Sequence, residues 1–259
     1  MRRPLVQATT LIVVLLLSSV GAAPMAQETD NNSVGFTVAF TDCVESIGVG
    51  LIPTEQAQAL VPPEFHVVGE GQPVTPLVVR TADCGIAVDG HRPKAGSIVQ
   101  IGVVIVPPDF TGDINNYTLW YYTSDAKLAH NLDKLGINAQ HVPTIDYDYE
   151  PSGNSNPSRL FVAVPRPGNP RLTLEGTVIE SQAPAGSFEA NWWVKNGNRV
   201  VKMDTLVPSI SIGGANLVLT TDANSRLGHL IGGSSAGFPV LQQFNTFASA
   251  NMVVSLASH

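Results

Sequence analysis

The segment Gly233 to Gly237 matches the G-x-S-x-G pattern in which serine hydrolases hold their nucleophile. In those enzymes a strand precedes the serine, a helix follows it, and an acid and a histidine come later in the chain. Downstream of Ser235 the sequence contains neither Asp nor Glu, and its only histidine is the last residue, His259. We therefore predict that this segment is a loop of small residues and not a catalytic turn.

A second chemical candidate is a row of carboxylates. Asp146, Asp148 and Glu150 alternate with tyrosines, so a strand would place all of them on one face. Clustered oxygen ligands could bind calcium, but such a row is more often the solvated side of a strand, and we favour that interpretation. The sequence contains no H-E-x-x-H, C-x-x-C, phosphate-binding glycine loop or dinucleotide fingerprint. We predict neither a metal site nor a cofactor.

The start of the chain has the three zones of a secretory signal. The basic residues Arg2 and Arg3 directly after Met1 are followed by the apolar run Leu11 to Val20 and by the small residues Gly21 to Ala23. The apolar run is much shorter than the roughly 20 residues that a membrane-spanning helix needs. We predict a signal peptide at residues 1–26 and a single domain at residues 27–259. The protein would be exported to the periplasm, the cell surface or the medium, with no stable membrane insertion after cleavage.

Charge and cysteine content narrow the class of protein further. The formal net charge is −7 and the basic residues are scattered, so we do not expect a nucleic-acid partner. The cysteines, Cys43 and Cys84, are even in number, and exported chains usually pair their cysteines. We predict a disulfide between them, with two buried free thiols as the alternative.

The elements that must position any site are mostly strands. Short segments rich in Val, Ile, Phe, Trp and Tyr are separated by Gly, Pro, Asn and Asp, a pattern typical of β-structure. Asn196-Gly197 lies between two such segments and predicts a tight hairpin. We expect a short helix capped by Thr54, and a second helix that Ser124 or Asp125 caps and Gly136 ends. Many strands with two or three short helices predict an α+β fold, mainly antiparallel β.

Several segments, taken in order, resemble the acetoacetate decarboxylase family. Ala57 to Phe65 is similar to the family's short helix that ends at a proline before a strand. Gly96 to Gly102 is similar to its pocket-lining central strand. Tyr117 to Ala139 is similar to its aromatic strand, acidic helix start and glycine turn, and matches in kind continue at Val207 to Ile210 and Leu227 to Leu230. The resemblance implies a cone- or barrel-like sheet around a central pocket.

The departures from the family concern its chemistry. In the family, a lysine shortly after the glycine turn forms a Schiff base with the substrate carbonyl, and a neighbouring lysine lowers its pKa. Here that segment is Asn138 to Val142, which has no lysine, and a glutamate expected on the central strand is replaced by Gln100. Neither glutamine nor histidine can form the imine. We therefore do not expect Schiff-base decarboxylation.

The resemblance also implies which side chains line the pocket. The ligand-binding candidates are Gln100, Trp120, Tyr122, Gln140 and His141. His141 stands where the family keeps its reactive group, and histidine titrates near neutral pH, so it is the candidate catalytic acid or base. The alternatives are a half-buried histidine in the sheet wall and, for the strand Trp120 to Tyr122, ordinary core aromatics. Lys202 is the remaining candidate for a buried amine.

Three functions are compatible with these residues. The leading hypothesis is an exported protein that binds a small, partly apolar carbonyl or carboxylate compound without Schiff-base decarboxylase activity. The second is a lyase, hydrolase or isomerase of the same fold that uses His141 as general acid or base. The third is a surface-interaction protein with a vestigial pocket. The sequence does not decide whether the protein is an enzyme, and it defines neither the ligand nor the oligomeric state.

Overall fold

Strands account for most of the chain. The computed structural model describes residues 34–152, 157–181 and 183–257, so the predicted signal peptide lies outside the described residues. The strands are β1 (Val34–Pro53), β2 (Val74–Val88), β3 (Lys94–Val104), β4 (Ile114–Thr123), β5 (Ala139–His141), β6 (Asp146–Glu150), β7 (Ser158–Val164), β8 (Leu172–Ile179), β9 (Pro184–Asn196), β10 (Arg199–Thr221), β11 (Ser235–Gly237) and β12 (Leu241–Ala257). The helices are α1 (Thr54–Gln58), α2 (Ala126–Lys134) and α3 (Arg226–Ile231). Within these ranges no helix has both the length and the apolar character needed to cross a membrane.

The strands form one sheet that closes on itself. The order β12-β1-β2-β3-β4-β9-β10 returns to β12, because β10 also pairs with β12. Pairing around this ring is antiparallel except between β4 and β9. The second half of β10 leaves the ring and pairs with β8, which continues through β7 to β6 as an arm. The predicted α+β, mainly antiparallel fold is confirmed.

Side chains of the ring strands point alternately to the two faces of the sheet, and each face forms a separate hydrophobic core. Side chains from one face of all seven strands meet inside the ring, among them Phe40, Ile98, Trp192, Met203 and Met252. The opposite face packs against the arm and the helices α1 and α3, in a second core that contains residues such as Leu77, Val99, Leu174 and Phe244. Because successive strand residues point to opposite faces, adjacent residues of one strand belong to different cores.

Local sequence signals explain the ends of several elements. Asp125 caps α2 by accepting a hydrogen bond from the Leu128 amide at 2.7 Å, as predicted. The hairpin between β9 and β10 is also confirmed, with Gly197 at φ 60° in its two-residue turn. The predicted cap at Thr54 is wrong, because Pro53 occupies the cap position and the buried Thr54 hydroxyl has no hydrogen-bond partner among the described residues.

A disulfide joins the first two strands of the ring. The register of β1 against β2 shifts between Thr41 and Val44, which places a bulge opposite the second cysteine. This bulge brings the Cα atoms of Cys43 and Cys84 to 4.4 Å, and their sulfurs are bonded. The separation lies at the short end of the range that disulfides adopt. The predicted pairing of Cys43 with Cys84 is therefore confirmed.

Candidate functional site

The five predicted ligand-binding residues are divided between the two faces of the sheet. Gln100 pairs with Tyr121, whereas Ile101 pairs with Trp120 and Val99 with Tyr122. Gln100 therefore faces the ring interior, while the side chains of Trp120 and Tyr122 belong to the outer core. The structure does not bring these three residues into one pocket.

Tyr122 and Gln140 use their polar atoms to hold a loop. The Tyr122 hydroxyl donates to the Pro170 carbonyl at 3.0 Å. The Gln140 side chain donates to the Asn169 carbonyl and accepts from the Asn169 amide, both at 2.8 Å. These bonds fix the loop between β7 and β8 to the outer face of the sheet.

His141 lies at the end of β5 with its side chain exposed. Its Nε2 is 3.2 Å from the carbonyl oxygen of Ser124. The Ser124 hydroxyl accepts from the Ser97 amide, and the Ser97 hydroxyl donates to Asp83. Burial raises the pKa of Asp83, and the Ser97 hydrogen bond opposes this rise. His141 thus lies at the protein surface, at the end of a hydrogen-bonded chain formed by Ser124, Ser97 and Asp83, and does not contact Gln100.

The ring interior contains a buried ion pair that the sequence analysis did not identify. The Arg80 Nε donates to Glu45 at 2.5 Å, and Asn245 donates to the other Glu45 oxygen at 3.1 Å. Cross-strand register places Glu45 opposite Asn245 on β12, and Arg80 opposite Gln100 on β3. A charge in a core requires such partners, because removing it from water is costly.

Two polar atoms beside this pair lack hydrogen-bond partners in the described chain. They are the Tyr121 hydroxyl and the Oδ1 atom of Asn245, both buried. Burial raises the pKa of Tyr121, against a smaller lowering by the nearby Arg80, so its phenol keeps its proton at neutral pH. We call the set Glu45, Arg80, Gln100, Thr118, Tyr121 and Asn245 the interior polar cluster. Buried polar atoms are nearly always satisfied in proteins, and these atoms are therefore suited to bind water or a ligand.

A cavity lies at a gap in the ring wall, next to Thr118 of the interior polar cluster. β4 pairs with β9 up to Tyr117 and with β5 from Tyr121 onward, so residues 118–120 pair with neither strand in the described chain. A cavity of about 280 Å³ lies at this gap. It is lined by Thr118, whose hydroxyl accepts a hydrogen bond from Gln100 at 3.2 Å, and by Ile137 and Val194 of the inner core.

Each of the five lysines of the sequence is placed by the structure. Lys94 and Lys134 are exposed, and Lys127 donates to the Val88 carbonyl at 3.3 Å. Lys195 is paired with Glu64. Lys202, the predicted candidate for a buried amine, has a side chain only 11% exposed but pairs with Asp109 at 2.8 Å and Asp204 at 3.3 Å. Its ammonium also lies 5.4 Å from the centre of the Trp193 ring.

The remaining motifs have structural roles. Ser235 begins the short strand β11 after α3, the reverse of the strand-then-helix order that a serine nucleophile requires. The predicted loop is therefore partly a strand. Asp146, Asp148 and Glu150 are exposed, which agrees with a solvated strand face. In the part of the chain that the structure describes, no three His, Cys, Asp or Glu side chains converge as metal ligands.

The sequence contained a usable signal for the ion pair. Glu45 and Arg80 each interrupt an apolar strand segment at a position whose neighbours two residues away are core residues, Cys43 and Val78. A charge on the core-facing side of a strand predicts a buried partner. Arg80 lies well inside β2, which continues to Val88, so its side chain cannot leave the sheet at a strand end.

Comparisons with solved structures identify the fold. The enduracididine biosynthesis enzyme MppR, complexed with the condensation product of pyruvate and imidazole 4-carboxaldehyde, matches with a TM-score of 0.51 and 13% identity over 92% of this chain and 96% of that one. An acetoacetate decarboxylase-like enzyme from Sphingomonas wittichii RW1 matches with a TM-score of 0.53 and 10% identity over 92% and 99%. A structure of acetoacetate decarboxylase matches with a TM-score of 0.52 and 11% identity over 87% and 92%.

Sequence comparisons give no further relative. No protein-family model matches this sequence, and no curated protein matches it. The structural likeness nevertheless extends over most of both chains in each pair. The chain has the acetoacetate decarboxylase-like fold.

Proposed function

We propose that this protein binds a small, partly apolar carbonyl or carboxylate compound at the interior polar cluster. The observation that carries the proposal is the Tyr121 hydroxyl, which is buried beside Arg80 and has no hydrogen-bond partner in the described chain. A neutral phenol can donate to a carbonyl or carboxylate oxygen. Arg80 uses only its Nε for Glu45 among the described contacts, so its remaining N–H groups can bind a second oxygen.

The cavity at the gap beside residues 118–120 of β4 is consistent with the proposed size and polarity of this ligand. Its volume of about 280 Å³ suits a small molecule, because pockets for larger organic ligands extend up to about 1,000 Å³. Ile137 and Val194 offer apolar contacts at its wall, and Thr118 and Gln100 lead toward Tyr121. Gln100 keeps its predicted role in this proposal. Trp120, Tyr122, Gln140 and His141 have none in it.

The lysine positions support binding without imine formation. A Schiff base requires an uncharged lysine amine at the carbonyl carbon. Lys195 and Lys202 are ion-paired, and Lys94 and Lys134 are exposed. The relative MppR holds a product of pyruvate, which is a keto acid, and a keto acid has both oxygen groups that Tyr121 and Arg80 would bind.

Titration calorimetry with acetoacetate and pyruvate as probes tests the proposal. Tyr121→Phe should weaken binding of the better probe by about tenfold, the equivalent of one hydrogen bond to a charged group. Tyr122→Phe is a matched control on the opposite face, and it should bind like the wild type, as should His141→Ala. Equal affinity of the wild type and Tyr121→Phe would rule out the interior site. Weaker binding by His141→Ala would instead favour a binding site at the protein surface around His141.

Borohydride trapping separates binding from imine chemistry. The protein is incubated with acetoacetate, reduced with borohydride and weighed by mass spectrometry. We expect an unchanged mass, because reduction leaves a covalent adduct only where an imine has formed. An adduct on any lysine would contradict this part of the proposal.

Export is a separate part of the proposal, and the disulfide supports it. Cys43 and Cys84 are bonded, and disulfides persist mainly in oxidising compartments outside the cytoplasm. The signal-like pattern at residues 1–26 lies outside the described residues. Expression of the full chain in a bacterial host, with N-terminal sequencing of the exported fraction, should give a mature chain that begins near Gln27. An uncleaved protein confined to the cytoplasm would contradict export.

A further inference from the structure

A second cavity lies outside the ring, beside the loop between β7 and β8. It has a volume of about 500 Å³, and residues 166–171 form one of its walls. Asp222 and Ser225, which precede α3, form the other. Arg166 and Arg171 both line this cavity, and both are exposed. The cavity shares no lining residue with the cavity at the gap in β4.

The two arginines differ from the partly buried basic residues of the chain. Arg80, Lys195 and Lys202 each form an ion pair with a carboxylate. Neither Arg166 nor Arg171 forms an ion pair with any residue in the described ranges. In a chain with a net charge of −7, the two guanidinium groups at this cavity outnumber its one carboxylate, Asp222, so the lining is positively charged. Guanidinium groups bind carboxylate and phosphate oxygens through paired N–H donors.

The loop that carries these arginines is held in place by its own contacts. Gln140 binds both backbone groups of Asn169, and Tyr122 binds the Pro170 carbonyl. Thr221 donates to the Arg171 carbonyl at 2.7 Å. The loop also packs closely at Gly168, where a Cβ atom would overlap Val164. The arginines therefore extend from a fixed backbone, which lowers the entropy lost when a ligand binds.

We propose that this cavity is a second binding site, for a small molecule that carries an oxyanion group, either a phosphate or a carboxylate. Arg166 and Arg171 bind the oxyanion. Asp222 lines the same cavity without an ion-pair partner in the described chain, so it favours a ligand that also carries a hydroxyl or amino group. Tyr122 and Gln140 support the site by fixing the loop that carries both arginines. The site is independent of the ligand proposed for the interior polar cluster.

Titration calorimetry at low ionic strength, with inorganic phosphate and acetate as separate probes, tests the proposal. We expect saturable binding of at least one probe. Arg166→Gln with Arg171→Gln should weaken that binding at least tenfold, because two charge-assisted contacts are lost. The control, Arg92→Gln with Arg199→Gln, removes the same charge from exposed sites elsewhere and should bind as the wild type does. Preference for phosphate or for acetate identifies the oxyanion.

Backbone NMR gives a readout that does not depend on affinity alone. The amides of Gly168, Asn169 and Arg171 should shift as the probe is added, while amides near Thr118 should not. No saturable binding of either probe would overturn the proposal. Equal binding by the wild type and the double variant lacking Arg166 and Arg171 would also overturn it. Because the probes are followed at the loop, failure here leaves the Tyr121 experiment unaffected.

Discussion

Tyr121 and Tyr122 are adjacent in β4, but their hydroxyls lie on opposite sides of the sheet. The Tyr121 hydroxyl is buried inside the ring without a hydrogen-bond partner in the described chain, while the Tyr122 hydroxyl donates to the Pro170 carbonyl at 3.0 Å. The same substitution at the two positions should therefore have opposite consequences for folding and for binding.

We predict that Tyr122→Phe lowers the free energy of unfolding by about 1 kcal/mol, the usual net value of one hydrogen bond. Tyr121→Phe should leave it unchanged or raise it, because the substitution removes a buried polar atom that has no partner. Urea unfolding of the ligand-free proteins measures both values. A loss of stability in Tyr121→Phe as large as that in Tyr122→Phe would show that the Tyr121 hydroxyl is satisfied within the fold.

The ion pair between Arg80 and Glu45 gives a second prediction. Arg80→Met leaves the Glu45 carboxylate buried with Asn245 as its remaining partner, and should cost about 3–5 kcal/mol. Adding Glu45→Gln removes the isolated charge, so the double variant should be more stable than Arg80→Met alone. Chemical denaturation compares the proteins, with the exposed Arg92→Met as control. If Arg80→Met behaves like the control, the pair is accessible to solvent and is not a buried ion pair that could hold a ligand inside the ring.

The sequence predicted the fold better than it predicted the site, for a physical reason. Strand patterning, the Asp125 cap and the hairpin turn are local signals, and the sequence has only two cysteines, which leaves one possible disulfide; all of these features are found in the structure. The contents of the ring depend on which residues of distant strands face each other. Glu45 meets Asn245 across 200 residues of sequence, and no local pattern specifies that pairing.

Register also explains the division of the predicted site. Period-two alternation places Trp120 and Tyr122 on one face and Tyr121 on the other, and the pairing of Tyr121 with Gln100 selects the inner face. A resemblance that identifies a strand cannot by itself say which of its faces lines the pocket. The bulge at Leu119, between the pairs formed by Trp120 and Thr118, adds a change of alternation that the sequence does not mark.

The disulfide gives a third prediction. The bond between Cys43 and Cys84 closes a loop with a sequence separation of 41. The loss of chain entropy in the unfolded state for such a loop corresponds to about 4 kcal/mol. Cys43→Ser with Cys84→Ser should lower the free energy of unfolding by roughly this amount, and a reducing agent should lower that of the wild type similarly but leave the double variant unchanged. A reductant effect on the double variant would show that it acts elsewhere.

The last prediction concerns pH and Asp83. Burial raises the pKa of this carboxyl in the folded protein, with the hydrogen bond from Ser97 as a smaller opposing effect. The unfolded chain has the ordinary value of about 3.9. Between the two values the folded state binds more protons than the unfolded state, so this group makes the protein more stable as pH falls and less stable as pH rises through the raised pKa.

Asp83→Asn keeps an oxygen that can accept from Ser97 and removes the half-buried charge. The variant should therefore be more stable than the wild type at about pH 7, and the difference should shrink toward zero below about pH 3, where Asp83 is protonated in both states. Urea unfolding across this range, taken as the difference between the two proteins at each pH, isolates the group from other carboxylates. Asp148→Asn, on the exposed face of β6, should show no such trend. A wild type more stable than Asp83→Asn at about pH 7 would mean that Asp83 is stabilised as a carboxylate, and that the hydrogen-bonded chain of Asp83, Ser97 and Ser124 beside His141 carries a charge.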